Sequence, residues 1–330
     1  MVRTTVVGSW PIPFSLKRYL TSYYKGDLTD ETAATWLQRA ARISMDEMIG
    51  CGLDQIMGGE VFAPDFIHHL PPRLAGLETI RPRDHRAGYA GVGVYQIVGD
   101  ISAPDGLGHA KAFRRERAIE PRLDKASVPS PWTVAEHFET DPRLQEQMEN
   151  VARMVEREVL DMVDAQVGEI QLDAPNEAIA MIEDRRGVDE IARWLVYPFR
   201  NVSGIRRSVH FCLGDNGRKP ATQVQHLHTL IPLIEALEGH VDRVHLECSY
   251  AGQWDDRSCL SAIPDSIEVI AGIADVKSPP ESTDVLREKI EALLDVLPPE
   301  RLLVSSSCGC GRVPHDEAIE LMGNLVSAAT

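Results

Sequence analysis

Histidine and cysteine spaced two apart, His210-Phe211-Cys212, close a run, Ser208–Phe211, that reads as a β-strand. Successive strand side chains alternate between faces, so these two donors point the same way. Imidazole and thiolate are ligands that zinc favours, and a third must come from elsewhere in the chain. Cys308 is the candidate, in Ser305-Ser306-Ser307-Cys308-Gly309-Cys310-Gly311, where glycines let the backbone turn tightly around a ligand. Cys310 competes with it, because a shift of two residues exchanges them. Glu247, just past the run Arg243–Leu246, offers an oxygen. Cys51, Cys248 and Cys259 read as small buried hydrophobes.

Donors drawn from separate strands across about a hundred residues differ from the closely spaced pairs that close a structural zinc site. They suit an open site whose remaining position takes a substrate. Zinc there lowers the pKa of a bound thiol, or of a bound water, so thiol alkylation and hydrolysis are both open to it. Other chemistry-bearing residues also fall at the ends of strand-like runs: Gly8-Ser9, Glu60, Asp173, Asp275 and Lys277. Lys277 serves as an acid or an anion receiver, with Asp275 orienting it or forming a structural ion pair. Trp10, Phe62 and Trp254 are candidates for an apolar wall, although aromatic residues near strand ends more often pack.

The elements that must position these groups alternate along the chain. Strand-like runs are Thr4–Val7, Leu53–Met57, Lys125–Val128, Glu169–Leu172, Ser208–Phe211, Arg243–Leu246, Ile267–Ile273 and Leu302–Ser305. Helical runs between them include Glu31–Ile49, Thr133–Phe138, Arg143–Ala165, Asn176–Glu183, Val188–Arg200, Gln223–Leu237, Ser282–Leu297 and His315–Ala328. Eight strands with intervening helices predict a single (β/α)8 TIM barrel over residues 1–330. The second apolar run, Val92–Ile101, is flanked by Pro- and Gly-rich segments and places an inserted hairpin and loop at residues 81–122. A doubly wound sheet is the other topology, but no Gly-x-Gly-x-x-Gly opens a helix after an early strand.

Composition narrows the class. The chain has 330 residues, 43% hydrophobic and 25% charged, as in an ordinary globular protein. A net charge of −16 argues against nucleic acid or an anionic membrane as partner. No apolar run approaches the ~20 residues of a membrane span. The first residues are too poor in apolar content for a signal peptide, so a cytoplasmic location is expected. Six cysteines in this length point to ligands or nucleophiles rather than a disulfide framework.

The ordered set resembles the catalytic half of cobalamin-independent methionine synthase, over essentially the whole chain. Thr4-Thr5-Val6-Val7-Gly8-Ser9 is similar to that family's start, whose Gly-Ser pair meets the homocysteine carboxylate. Gly58-Gly59-Glu60 and Gln171-Leu172-Asp173 resemble the motifs whose acids hold the substrate amino group. His210-x-Cys212, Glu247 and Cys308-Gly309 match the zinc ligands in order and spacing. The resemblance implies a zinc (Zn2+) enzyme that methylates the thiol of homocysteine. Three departures stand out. The N-terminal half that helps bind the folate tail in long members has no counterpart. Lys277, in Asp275-Val276-Lys277-Ser278, replaces the histidine of folate-using members. The Asp-Glu-Pro segment is Asp173-Ala174-Pro175. A short, core-type member with a donor other than methyl-folate, such as a methyl-corrinoid protein, is therefore expected. An epoxyalkane:coenzyme M transferase type is the alternative. A metal-free decarboxylase of related fold and a non-catalytic zinc barrel are more distant rivals.

Overall fold

The computed structural model describes residues 1–13, 15–17, 19, 30–63, 67–82, 93–215, 218–220, 222, 226–250 and 252–330. Seven strands form a parallel sheet: β1 (Arg3–Thr4), β4 (Lys125–Pro129), β5 (Glu169–Asp173), β6 (Arg206–Phe211), β7 (Arg243–Glu247), β8 (Glu268–Ala274) and β9 (Leu302–Ser306). Its spatial order is β1-β9-β8-β7-β6-β5-β4, so the sheet curls with first and last strands adjacent. Strands β4, β5, β7 and β9 are buried along their whole length, because helices cover one face and the sheet curls over the other. Helix Leu144–Asp164 shows the outer packing, with Met148, Val151, Val155, Val159 and Met162 at three- and four-residue spacing, all fully buried.

Seven of the eight expected strands form the ladder, a curled, half-barrel parallel sheet among the described residues. Leu53–Met57 forms no ladder strand. It stays on the β1 side through Gln55 N to Thr4 O at 3.1 Å and an isolated bridge between Ser9 and Gly59. The segment lies between turns: Gly52 before it and Gly59 and Glu60 after it have φ of 86°, 76° and 59°.

The inserted hairpin begins earlier than expected. Strand β2 (Ala75–Arg81) pairs antiparallel with β3 (Val94–Ser102), while residues 83–92 of the predicted loop lie outside the described residues. The region also contains a helix, His109–Ile119, that was expected as loop. Its start lacks a local Ser, Thr, Asp or Asn cap; instead the distant Glu158 carboxylate accepts from Leu107 N, Gly108 N and Ala110 N at 2.7–3.0 Å. The Gln223–Leu237 run becomes a 3-10 turn, Leu227–Leu230, and a short helix, Ile231–Ala236, with residues 223–225 outside the described set.

Candidate active site

Strands β6 and β9 deliver the candidate metal donors. His210 and Cys212 leave the carboxyl end of β6, and Cys308 follows β9 by two residues. One donor atom of each lies within 4.8 Å of the other two, and the two sulfurs are 3.7 Å apart. His210 and Cys212 are 2% and 5% exposed, so these polar groups are withdrawn from water. Neither ring nitrogen of His210 has a hydrogen-bond partner, which is costly for a buried imidazole and is relieved by an ion. Cys308 is held well below the ordinary thiol range, first by the Cys212 thiol and then by His210 and Lys277. Cys212 is correspondingly raised. One imidazole, one ready thiolate and one neighbouring thiol form a donor set that fits zinc.

Glu247 stands beside this trio but outside it. Its Oε1 accepts from Lys277 Nζ at 2.8 Å and its Oε2 from Leu213 N at 2.8 Å. The Lys277–Glu247 pair is almost fully buried. Burial alone would lower the Lys277 pKa, but Glu247 and Cys308 outweigh it and hold the ammonium above its ordinary range. Asp275 does not pair with the lysine ammonium. It accepts from Lys277 N at 2.9 Å and Ser278 Oγ at 2.6 Å, so it shapes the turn that carries Lys277. Cys310 is 1% exposed, its thiol is pushed up to about 12 by burial, and its N–H donates to Ser9 O. It is not among the donor atoms that converge with His210 and Cys212.

A second pole is acidic. Glu60 follows the Gly58-Gly59 turn and Asp173 ends β5. Burial, then the charges of Asp173, Glu116 and Cys308, raises Glu60 to about 8. Burial raises Asp173 to about 6, opposed by His210, Gln171, Ser127 and Lys125. Ser127 Oγ donates to Glu60 Oε1 at 3.4 Å, and Gln171 Nε2 to Asp173 Oδ1 at 2.7 Å. Gly8 leaves room for Glu60, since a Cβ on it would sit 2.4 Å from Oε1 and displace the carboxylate. Ser9 links the poles: its Oγ accepts from Gly311 N at 3.2 Å, and a Cβ on Gly309 would come within 2.1 Å of that oxygen. Trp10, expected as wall, is 2% exposed and donates Nε1 to Glu47, a packing role. Phe62 lies under Arg115 and Trp254 under Arg257 and Lys289.

Two residues escaped the sequence reading. His245 packs its ring 4.5 Å from that of His210, donates from Nε2 to Ser306 O at 3.2 Å, and has its pKa pushed down by burial. Its position two before Glu247 on one strand face was the available signal. Glu116, from helix His109–Ile119, is 7% exposed and raised to about 7 by burial. A Cβ on Gly58 would collide with its carboxylate at 1.9–2.4 Å. No sequence signal pointed to it, because its helix was read as loop.

Comparison with known proteins places this geometry. A Shewanella B12-independent methionine synthase, solved with selenomethionine, shares the fold at TM-score 0.82 and 19% identity, covering 100% of this chain and 97% of that one. A Listeria monocytogenes structure described as a putative vitamin-B12 independent methionine synthase aligns at TM-score 0.72 and 17% identity, over 100% and 98%. A Trichodesmium erythraeum 5-methyltetrahydropteroyltriglutamate–homocysteine methyltransferase is 25% identical over 99% of this chain and 43% of its own length. The Thermotoga maritima protein of the same name is 23% identical over 99% and 44%. The chain thus spans less than half the length of these relatives. Residues 2–330 match the family described as "Cobalamin-independent synthase, Catalytic domain", and the chain belongs to that family.

Proposed function

We propose that this chain, as a single catalytic domain, methylates the thiol of homocysteine to give methionine, with zinc held by His210, Cys212 and Cys308. The observation that carries this reading is the pairing of a buried sulfur–imidazole trio with the carboxylates Glu60 and Asp173 at the same end of the sheet. When bound, the ion supplies the Lewis acidity that keeps a coordinated thiol ionised at neutral pH. Glu60 and Asp173 receive the substrate ammonium, and the N–H groups around Gly8-Ser9 receive its carboxylate. These contacts aim the sulfur at the donor carbon and convert an encounter into an oriented reaction. The sulfur forms the new S–CH3 bond, and the donor keeps the electron pair of the bond it loses. Lys277 holds Glu247 as a reserve oxygen donor and steadies thiolate charge. Its raised ammonium suits that task better than handing over a proton.

A sulfonate thiol, as in the coenzyme M alternative, would meet two buried carboxylates, while the nearby lysine is engaged by Glu247. That arrangement disfavours it. The relatives' names specify a methylated pteroyltriglutamate donor. The family is described as cobalamin-independent, which leaves the expected corrinoid partner without support. Among the described residues no helix is long and apolar enough to cross a membrane.

Zinc-edge X-ray absorption tests the core of the reading. The expected site has two sulfurs and gains a third with homocysteine; no gain, or a gain only with a sulfonate thiol, overturns it. Turnover with methyl-pteroyltriglutamate against methylcobalamin then decides the donor.

A further inference from the structure

We propose a second divalent-metal site, of the zinc class, formed by His226, His228 and Asp256 beyond the carboxyl ends of β6 and β7. One donor atom of each lies within 4.8 Å of the others. Asp256 Oδ2 accepts from both His228 N at 2.8 Å and His228 Nδ1 at 2.7 Å. The carboxylate and this ring nitrogen already converge on one point, and an ion seated between them takes the place of the hydrogen bond. The His226 ring lies 5.3 Å from that of His228, centroid to centroid, and inclined by 31°. No hydrogen bond or ion pair engages the His226 ring among the described residues, so it meets an ion without losing a partner.

The geometry is close to closure. Donor atoms on one tetrahedral zinc lie about 3.3 Å apart, given metal–nitrogen distances of about 2.0–2.1 Å. Both imidazoles are exposed, so small rotations about their side-chain bonds bring them together. Exposure also leaves the remaining positions to water, which makes this the weaker of two sites. Its placement is not remote from the chemistry, because His226 lines a small cavity with Cys212, Leu213, Glu247 and Gln253. A net charge of −16 raises the local concentration of cations. A plain His228–Asp256 ion pair accounts for two of the three residues but gives His226 no role.

The test is a zinc titration of untagged, metal-stripped protein against a competing chromophoric chelator. Wild type is expected to bind two ions with separate affinities. Cys308→Ser loses the tighter ion and keeps the weaker; His228→Ala loses the weaker and keeps the tighter. Asp256→Asn, which retains both imidazoles but removes the anionic ligand, binds the weaker ion less tightly than wild type. A single ion bound by wild type, or an unchanged stoichiometry in His228→Ala, overturns the proposal. Because the site is independent of the trio, two ions surviving in Cys308→Ser would strike the catalytic reading and leave this one standing.

Discussion

The same strands carry opposite kinds of polar chemistry at their two ends. At the amino ends the charges close on one another. Arg243 Nη1 meets Glu169 Oε2 at 2.7 Å with both side chains at most 1% exposed, and Arg243 and Arg3 also bind Glu268. Gln55 Nε2 adds a bond to Glu169 Oε2 at 3.0 Å. At the carboxyl ends, two imidazole nitrogens lack partners, one thiol is driven down and another up, and two carboxylates are pushed toward neutral pH. Ion pairing at the first end contributes to holding the fold. The raised acids and unpartnered donors at the second are stable only when something else arrives, which is the mark of a binding site.

The sharpest way to break this contrast is Cys308→Ser. It should strip the trio's zinc and lower turnover by at least about 10³-fold, as expected when an ion contributing several kcal/mol is lost. Cys310→Ser should keep both metal and activity; metal analysis and initial rates on the two variants decide. At the opposite end, Arg243→Met leaves Glu169 buried without its cation. Such a break costs about 3–5 kcal/mol. Denaturant midpoints should fall while the zinc content of the folded fraction holds, and a parallel loss of metal would erase the distinction between the ends.

A smaller effect is expected at the acidic pole. Glu60→Gln removes one charge-assisted bond to an ammonium, worth about 1.5–3 kcal/mol. The KM for homocysteine should rise about 10- to 100-fold with zinc retained, and an unchanged KM would remove Glu60 from substrate binding. The gentlest test is pH. Glu60 is raised from 4.5 to about 8, so the folded state holds its proton where the unfolded chain has lost it. That contribution to stability is complete below 4.5 and is lost as pH rises through about 8. Melting temperature of substrate-free protein should therefore decline across this window, and Glu60→Gln should flatten the decline. A slope that Glu60→Gln leaves unaltered would place the titration elsewhere.

Much of this was legible before any coordinates. His210-x-Cys212 shares a strand face because the β repeat is two residues, and that argument needs no tertiary information. Seven of the eight strands announced themselves as short β-branched runs between amphipathic helices. The failures have local causes. Leu53–Met57 has the composition of a strand, but it lies between turns at Gly52 and Gly59-Glu60 and joins no ladder. Helix His109–Ile119 went unseen because Glu158, some fifty residues downstream, caps its first N–H groups.

By itself, then, the chain's order of residues determined the parallel α/β class and the candidate donors, since periodicity and ligand chemistry are local properties. Only the tertiary structure decided which cysteine joins the trio, that Glu247 is engaged by Lys277, and that Glu116 stands beneath Glu60. Those outcomes depend on distances between segments far apart in sequence, set by how the sheet curls and how its helices pack. No periodicity within a single segment encodes them.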